Sequence, residues 1–197
     1  RGLGDVYKRQ TVCCCKGNNM DYKIQTVHNA ADDLPLCKEI VELTRPVRKT
    51  YPEYGKWLEE KFFPGLKDGS RIIIAAKDET GRLAGTILLK KTAEEKKICC
   101  LFVRQDCRGR GIAGKLMQES LEVLQTDKPL LSIAEKNYPQ MQKLLSLHHF
   151  KFSYRKNGAY TTNGTEYYFN NEATEILKKE VLSPLLARAL QRHESLR

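Results

Sequence analysis

The segment Arg108-Gly109-Arg110-Gly111-Ile112-Ala113-Gly114 lies between an apolar run, residues 97–103, and a stretch carrying Leu116, Leu121 and Leu124 at helical spacing. Its order is strand, glycine loop, helix. Three glycines there remove the side chains that keep ligands away from the backbone, so N–H groups can converge on an anion. The positive end of the following helix dipole adds its unpaired N–H donors at the same place. Arg108, Arg110 and Lys115 supply further charge, and a pyrophosphate suits that chemistry.

Two other phosphate loops compete for this string. A P-loop needs a hydroxyl residue after its lysine, and Lys115 is followed by Leu116. Gly109, Gly111 and Gly114 do have the GxGxxG spacing of a dinucleotide site, but that site needs an early βαβ unit and a later acidic ribose ligand. The strands before the loop are arranged differently. Residues 71–77 and 82–90 are joined by Asp78-Glu79-Thr80-Gly81 and read as a hairpin, and residues 97–103 follow after the turn Glu94-Glu95-Lys96. Three sequential strands make an antiparallel meander.

The remaining pattern fits around this centre. Alternation over residues 22–27 predicts a first strand, and Asp32 or Asp33 caps a helix to about Thr44 that buries Leu36, Ile40 and Leu43. Pro46 ends it, and Pro52 begins a short helix with Tyr54, Trp57, Leu58 and Phe62. After the loop come a strand at 130–134, a helix at 138–147 with Met141, Leu144 and Leu145, and two closing strands at 150–154 and 166–169. Residues 1–19 lack periodicity and precede Met20, so they read as a disordered or non-native leader. Residues 20–170 form the domain, and 171–197 form a C-terminal helical extension with a kink at Pro184.

Composition bounds the setting. A chain of 197 residues with 41% hydrophobic and 29% charged residues can bury one core. No apolar run approaches the roughly 18 residues of a membrane span, which argues for a cytoplasmic protein without a membrane partner. Of the seven cysteines, Cys13-Cys14-Cys15 and Cys99-Cys100 are adjacent runs whose side chains should point apart along a strand. No metal-ligand spacing appears, so reduced thiols that only pack are expected. The net charge is +10, of which Arg1, Lys8, Arg9 and Lys16 against Asp5 contribute +3. No helix carries a dense basic face, which argues against a nucleic-acid partner except as an aminoacyl-RNA acceptor.

The motif Arg108-x-x-Gly111-x-Ala113 resembles the Q/R-x-x-G-x-G/A motif of the GNAT superfamily of N-acetyltransferases, where it also follows the fourth strand and opens the third helix. The resemblance in element order covers roughly residues 21–170, and its specific residues lie within 101–150. It implies an α/β fold of α+β type, with a mixed, mostly antiparallel central sheet of about six to seven strands flanked by helices. It further implies an N-acyltransferase that moves an acetyl group from acetyl-CoA to a primary amine on a small molecule, peptide or aminoacyl-RNA. A GNAT-like module that binds acyl-CoA without turnover is the alternative, and the extra C-terminal helix leaves a homodimer open.

Position by position, the resemblance assigns Leu101, Phe102 and Val103 to backbone pairing with pantetheine. Arg108, Gly109, Arg110, Gly111, Ile112, Ala113, Gly114 and Lys115 go to the pyrophosphate, and Asn137 to a further cofactor contact. The fourth and fifth strands should splay apart to admit the acyl group. The tyrosine that often protonates the departing thiolate is replaced by Leu145. Aminolysis needs a neutral amine, and among Glu94, Glu95 and Glu135 the last lies nearest the expected splay. Tyr51, Tyr54 and Trp57, with Arg45 and Arg48 nearby, are expected to wall the acceptor pocket. Tyr160 stands as their counterpart and, with Glu135, as the candidate catalytic pair.

Overall fold

The isoleucine-rich run Arg71–Lys77 and the alternating Leu83–Lys91 pair as a hairpin, β3 and β4, in a computed structural model that describes residues 10–11, 22–27 and 33–171. Asp78 holds their turn: its Oδ1 accepts from the Thr80 N–H at 3.1 Å, the Thr80 hydroxyl at 2.6 Å and the Arg82 N–H at 3.0 Å. Gly81 takes the left-handed conformation, φ 81°, that closes it. β5 (Lys96–Val103) continues the meander antiparallel to β4. β2 (Lys23–Val27) borders β3 on the other side, and β1, only Gln10–Thr11 of the leader segment, pairs with β2.

Beyond β5 the sheet adds β6 (Leu130–Ala134), then β8 (Thr165–Phe169), then β7 (Phe152–Asn157), for the order β1-β2-β3-β4-β5-β6-β8-β7. The seven predicted strands are all present, and β5–β6 is the parallel pair among the described residues. β7 begins at Phe152 rather than Phe150. His149 turns left-handed at φ 56°, and the Phe150 N–H closes the preceding helix on the Leu145 carbonyl at 2.9 Å, which leaves Phe150 in the core.

Helices cover both faces. α1 (Leu34–Leu43) starts at Asp33, whose carboxylate accepts the Leu36 N–H at 3.0 Å, and ends where the Thr44 hydroxyl donates to the Ile40 carbonyl at 2.6 Å. A 3₁₀ turn over Arg45–Lys49 leads to α2 (Tyr54–Trp57), which widens into a π turn over Leu58–Phe62. These pack on one face around Ile40, Phe62, Ile73 and Leu88. α3 (Ile112–Leu124) and α4 (Tyr138–Leu147) pack on the other, around Leu116, Met117, Ile87 and Leu145. Among the described residues no helix is long and apolar enough to cross a membrane. The helix expected over 172–192 lies outside the described residues.

α3 approaches the sheet closely at a glycine. A methyl group on Gly85 of β4 would stand 3.2 Å from Ile112 Cγ2, 3.3 Å from Leu116 Cδ1 and 3.2 Å from the Phe102 carbonyl oxygen. The first turn of α3 is thereby pinned against β4 and β5.

Candidate active site

The site begins with one extra residue in β5. Leu88 pairs with Cys100 and Leu89 with Ile98, so Cys99 bulges. The parallel ladder to β6 stops at the same level, after Lys97↔Leu130 and Ile98↔Leu131. From there β5 follows β4 to Val103, while β6 follows β8 through Ser132↔Tyr168, Ile133↔Tyr167 and Ala134↔Glu166. The two strands therefore part in a V that opens toward their C-terminal ends, as the resemblance implied.

The bulge corrects one expectation. Cys99 and Cys100 do not point to opposite faces; both pack on the α1–α2 side, because a bulge breaks the two-residue alternation. Burial pushes the Cys99 thiol up to about 11 and the Cys100 thiol up to about 12, so neither is a thiolate at neutral pH. Among the described residues Cys37, Cys99, Cys100 and Cys107 form no disulfide. Among the described residues no three His, Cys, Asp or Glu side chains are grouped to hold a metal ion.

On the β5 arm the glycine loop is held from below. Arg104 donates to the Leu83 carbonyl and the Asp78 carboxylate, both at 3.1 Å, and to Asp106 at 2.7 Å. Cys107 is buried beneath the loop. Gly109 (φ 76°) and Gly111 (φ 79°) are left-handed, and a methyl group on Gly109, Gly111 or Gly114 would meet nothing within 4 Å, so the space over the loop is open. The first bond of α3 runs from the Lys115 N–H to the Gly111 carbonyl at 3.1 Å. The N–H groups of Ile112, Ala113 and Gly114 therefore stand at the helix end with no carbonyl of a preceding turn to meet.

Arg108 folds back, donating to the Val103 carbonyl at 3.1 Å with its guanidinium 5.7 Å from the Phe102 ring centre. Arg110 donates to the Tyr22 hydroxyl at 3.3 Å. Phe102, Arg104 and Arg108 also line an open cleft of about 550 Å³ against Glu39, Glu42 and Arg45 of the α1 end. Leu101, Phe102 and Val103 form the β5 edge of the V.

On the β6 arm Asn137 stands at the start of α4 but makes no side-chain capping bond, so the amide is not used as a helix cap. Glu135 is exposed and accepts the Tyr167 hydroxyl at 2.5 Å, on the face where Tyr167 packs against Tyr138. Leu145 is a core residue, 2% exposed.

The predicted aromatic wall divides. Tyr54 is buried, donates to the Cys100 sulfur at 3.4 Å and stacks on Trp57, which in turn meets Phe62. Both are committed to the α1–α2 core. Tyr51 instead reaches the V: its hydroxyl accepts the Ala134 N–H at 2.8 Å and donates to Glu166, 3.1 Å from Oε1 and 3.2 Å from Oε2. Tyr160 meets the Tyr51 ring edge-on at 5.6 Å, and its own side chain is half exposed.

Glu166 is the residue that sequence reasoning missed. It is 4% exposed and lies opposite Ala134 in the ladder. Burial pushes its carboxyl above the ordinary range, opposed by hydrogen bonds from Tyr51 and Ser132 and by the charge of Lys97. Burial also works against the Lys97 ammonium, but Tyr160, Cys99 and Glu95 beside it prevail and its pKa is raised. The only signal in the sequence was a lone carboxylate in an aromatic strand, Glu166-Tyr167-Tyr168-Phe169.

Residues 36–145 match the model of the acetyltransferase (GNAT) family. No curated protein matches the sequence. Among solved structures, a GNAT-family protein from Desulfovibrio desulfuricans aligns with a TM-score of 0.55 at 11% identity, covering 75% of this chain and 96% of that one. Aminoglycoside 6'-N-acetyltransferase complexed with coenzyme A aligns at 0.53 and 14% identity, covering 73% and 94%. Nourseothricin acetyltransferase aligns at 0.48 and 18% identity over 52% of this chain, which spans 65% of that protein's length.

Proposed function

The chain belongs to the acetyltransferase (GNAT) family, and from that premise we propose that it transfers an acetyl group from acetyl-CoA to a primary amine. The observation that carries this reading is the V between β5 and β6 with the glycine loop at its open end. The residues present suit the cofactor. Gly109, Gly111 and Gly114 keep clear the space that side chains would fill, and the first N–H groups of α3 offer donors to a pyrophosphate. Arg108, Arg110 and Lys115 add charge. Where β6 has left it, the β5 edge at Leu101 and Phe102 can pair with an extended amide chain, next to the Val103 carbonyl that Arg108 holds, and Asn137 stands in the turn that ends the β6 arm. Bound there, the cofactor supplies an activated acyl thioester.

What this chain contributes to the transfer is position, exclusion of water and proton handling. The acceptor side of the V is the α1–α2 face, where Tyr51 and Tyr160 form an aromatic corner with Lys97 beside it. An amine on a small molecule, a peptide or an aminoacyl-RNA is the acceptor class proposed.

Calorimetry with acetyl-CoA and CoA tests the reading directly. Saturable binding is expected, weakened at least tenfold in Gly111→Glu, which places a side chain on a left-handed backbone and a carboxylate beside the phosphates. No saturable heat in the unsubstituted protein would overturn it. One observation favours a second reading, an acyl-CoA-binding module without turnover: Leu145 is buried in the core where the family often places a phenolic acid. Thiol release with any amine removes that alternative.

A further inference from the structure

Glu166 is an acidic residue buried to 4% exposure, and it lies on the strand that β6 follows as it leaves β5. Its carboxylate receives the Tyr51 hydroxyl almost symmetrically, at 3.1 and 3.2 Å. The phenolic oxygen has two lone pairs, and the Ala134 N–H takes one of them at 2.8 Å. The second is available to an acceptor's N–H. Tyr160, edge-on at 5.6 Å, fixes the ring that presents it.

We propose that the acceptor's ammonium is deprotonated through the Tyr51 hydroxyl, with Glu166 as the final proton acceptor. This deepens the acetyltransferase reading and rests on it. The N–H bond of the ammonium breaks as an O–H bond forms on Tyr51, and the proton that Tyr51 already carried passes to a Glu166 oxygen. The nitrogen keeps its electron pair, Tyr51 ends as it began, and the carboxylate becomes a carboxylic acid that later loses its proton to solvent. The neutral nitrogen then adds to the thioester carbon as the C–S bond breaks, and the second proton that nitrogen sheds in becoming an amide passes through solvent to the departing thiolate.

Two observations separate this route from its rivals. Burial and the Glu166 charge raise the Tyr51 phenol above its ordinary value, so Tyr51 works as a conduit and not as a phenolate. Glu135 is exposed and accepts from Tyr167 on the opposite face. The titratable groups around Glu166 are Tyr51 from the segment before α2, Lys97 from β5, Tyr168 from β8 and Tyr160 from the β7–β8 connection.

The test uses the full chain with acetyl-CoA and three amines, kanamycin, spermidine and glycinamide, read by thiol release. Glu166→Gln and Tyr51→Phe are each expected to lower kcat about 10²-fold, the lower range for acid–base catalysis. Acetyl-CoA affinity by calorimetry should stay within about twofold, and the Glu166→Gln deficit should shrink as pH rises and solvent supplies neutral amine. A deficit equal at every pH, or no deficit in either variant, overturns the relay while leaving the acetyltransferase reading intact. Absence of acetyl-CoA binding by the unsubstituted protein, or binding without thiol release from any of the three amines, overturns that reading and the relay with it.

Discussion

At the scale of the residue, Glu166 sets a conflict between stability and chemistry. Its carboxyl is raised in the folded protein above its unfolded value, so the folded state binds the proton more tightly than the unfolded state does. Stability from this group is therefore full at low pH and falls as pH rises from the ordinary glutamate range through the folded value. Glu166→Gln cannot ionise and should melt higher than the parent at pH 7, with the gap closing toward pH 4; a thermal melt across pH measures it. Asp78 behaves oppositely. Hydrogen bonds from Thr80 and Arg104 hold it down to about 2, so what it contributes is present at neutral pH and is lost as pH falls through that value. Leu145 supplies a further check. Installing the missing phenol as Leu145→Tyr forces extra volume into a site that is 2% exposed. It should cost about 1–3 kcal/mol in denaturant unfolding without raising kcat.

Among the elements, α3 and β5 carry the site, and each departs from its sequence pattern for a physical reason. The helical spacing of Leu116, Leu121 and Leu124 predicts a helix after the glycine loop, and α3 begins as early as Ile112, which packs with Leu116 against Gly85. Gly85→Val should therefore push the first turn of α3 off the sheet. A loss of about 1–3 kcal/mol of stability and weaker acetyl-CoA binding are expected, read by denaturant unfolding and calorimetry on one sample. In β5 the alternation rule assigned Cys99 and Cys100 to opposite faces, and one bulged residue defeats it. Nothing local in Ile98-Cys99-Cys100-Leu101 announces a bulge. It becomes visible only in the register with β4.

For the molecule as a whole, what was legible followed from chain-local signals. The Asp78–Gly81 turn, each strand of the meander, the glycine loop and the amphipathic α4 declare themselves within about a dozen residues, and together they place the strands of the sheet and the V between them. The proton-handling group was not legible because it is an encounter across the fold: Tyr51 and Glu166 are 115 positions apart. Only the pairing of β8 with β6 brings them together. Glu135, read from its place after β6, instead accepts from the neighbouring strand's Tyr167, on the face opposite Glu166.

The two-rung join between β5 and β6 has one more consequence. A strand whose partner has left it is an edge, and an exposed edge invites strands from other molecules to add to it. Here that edge lies in the middle of an eight-stranded sheet, with α1 and α2 over one face and α3 and α4 over the other. Unpaired peptide groups of this kind on the rim of a protein would be an aggregation hazard. Enclosed between β5 and β6, they form a slot that tapers to Ile98 and Leu131, suited to a slender chain that enters end-on and shut to the broad side of a neighbouring strand.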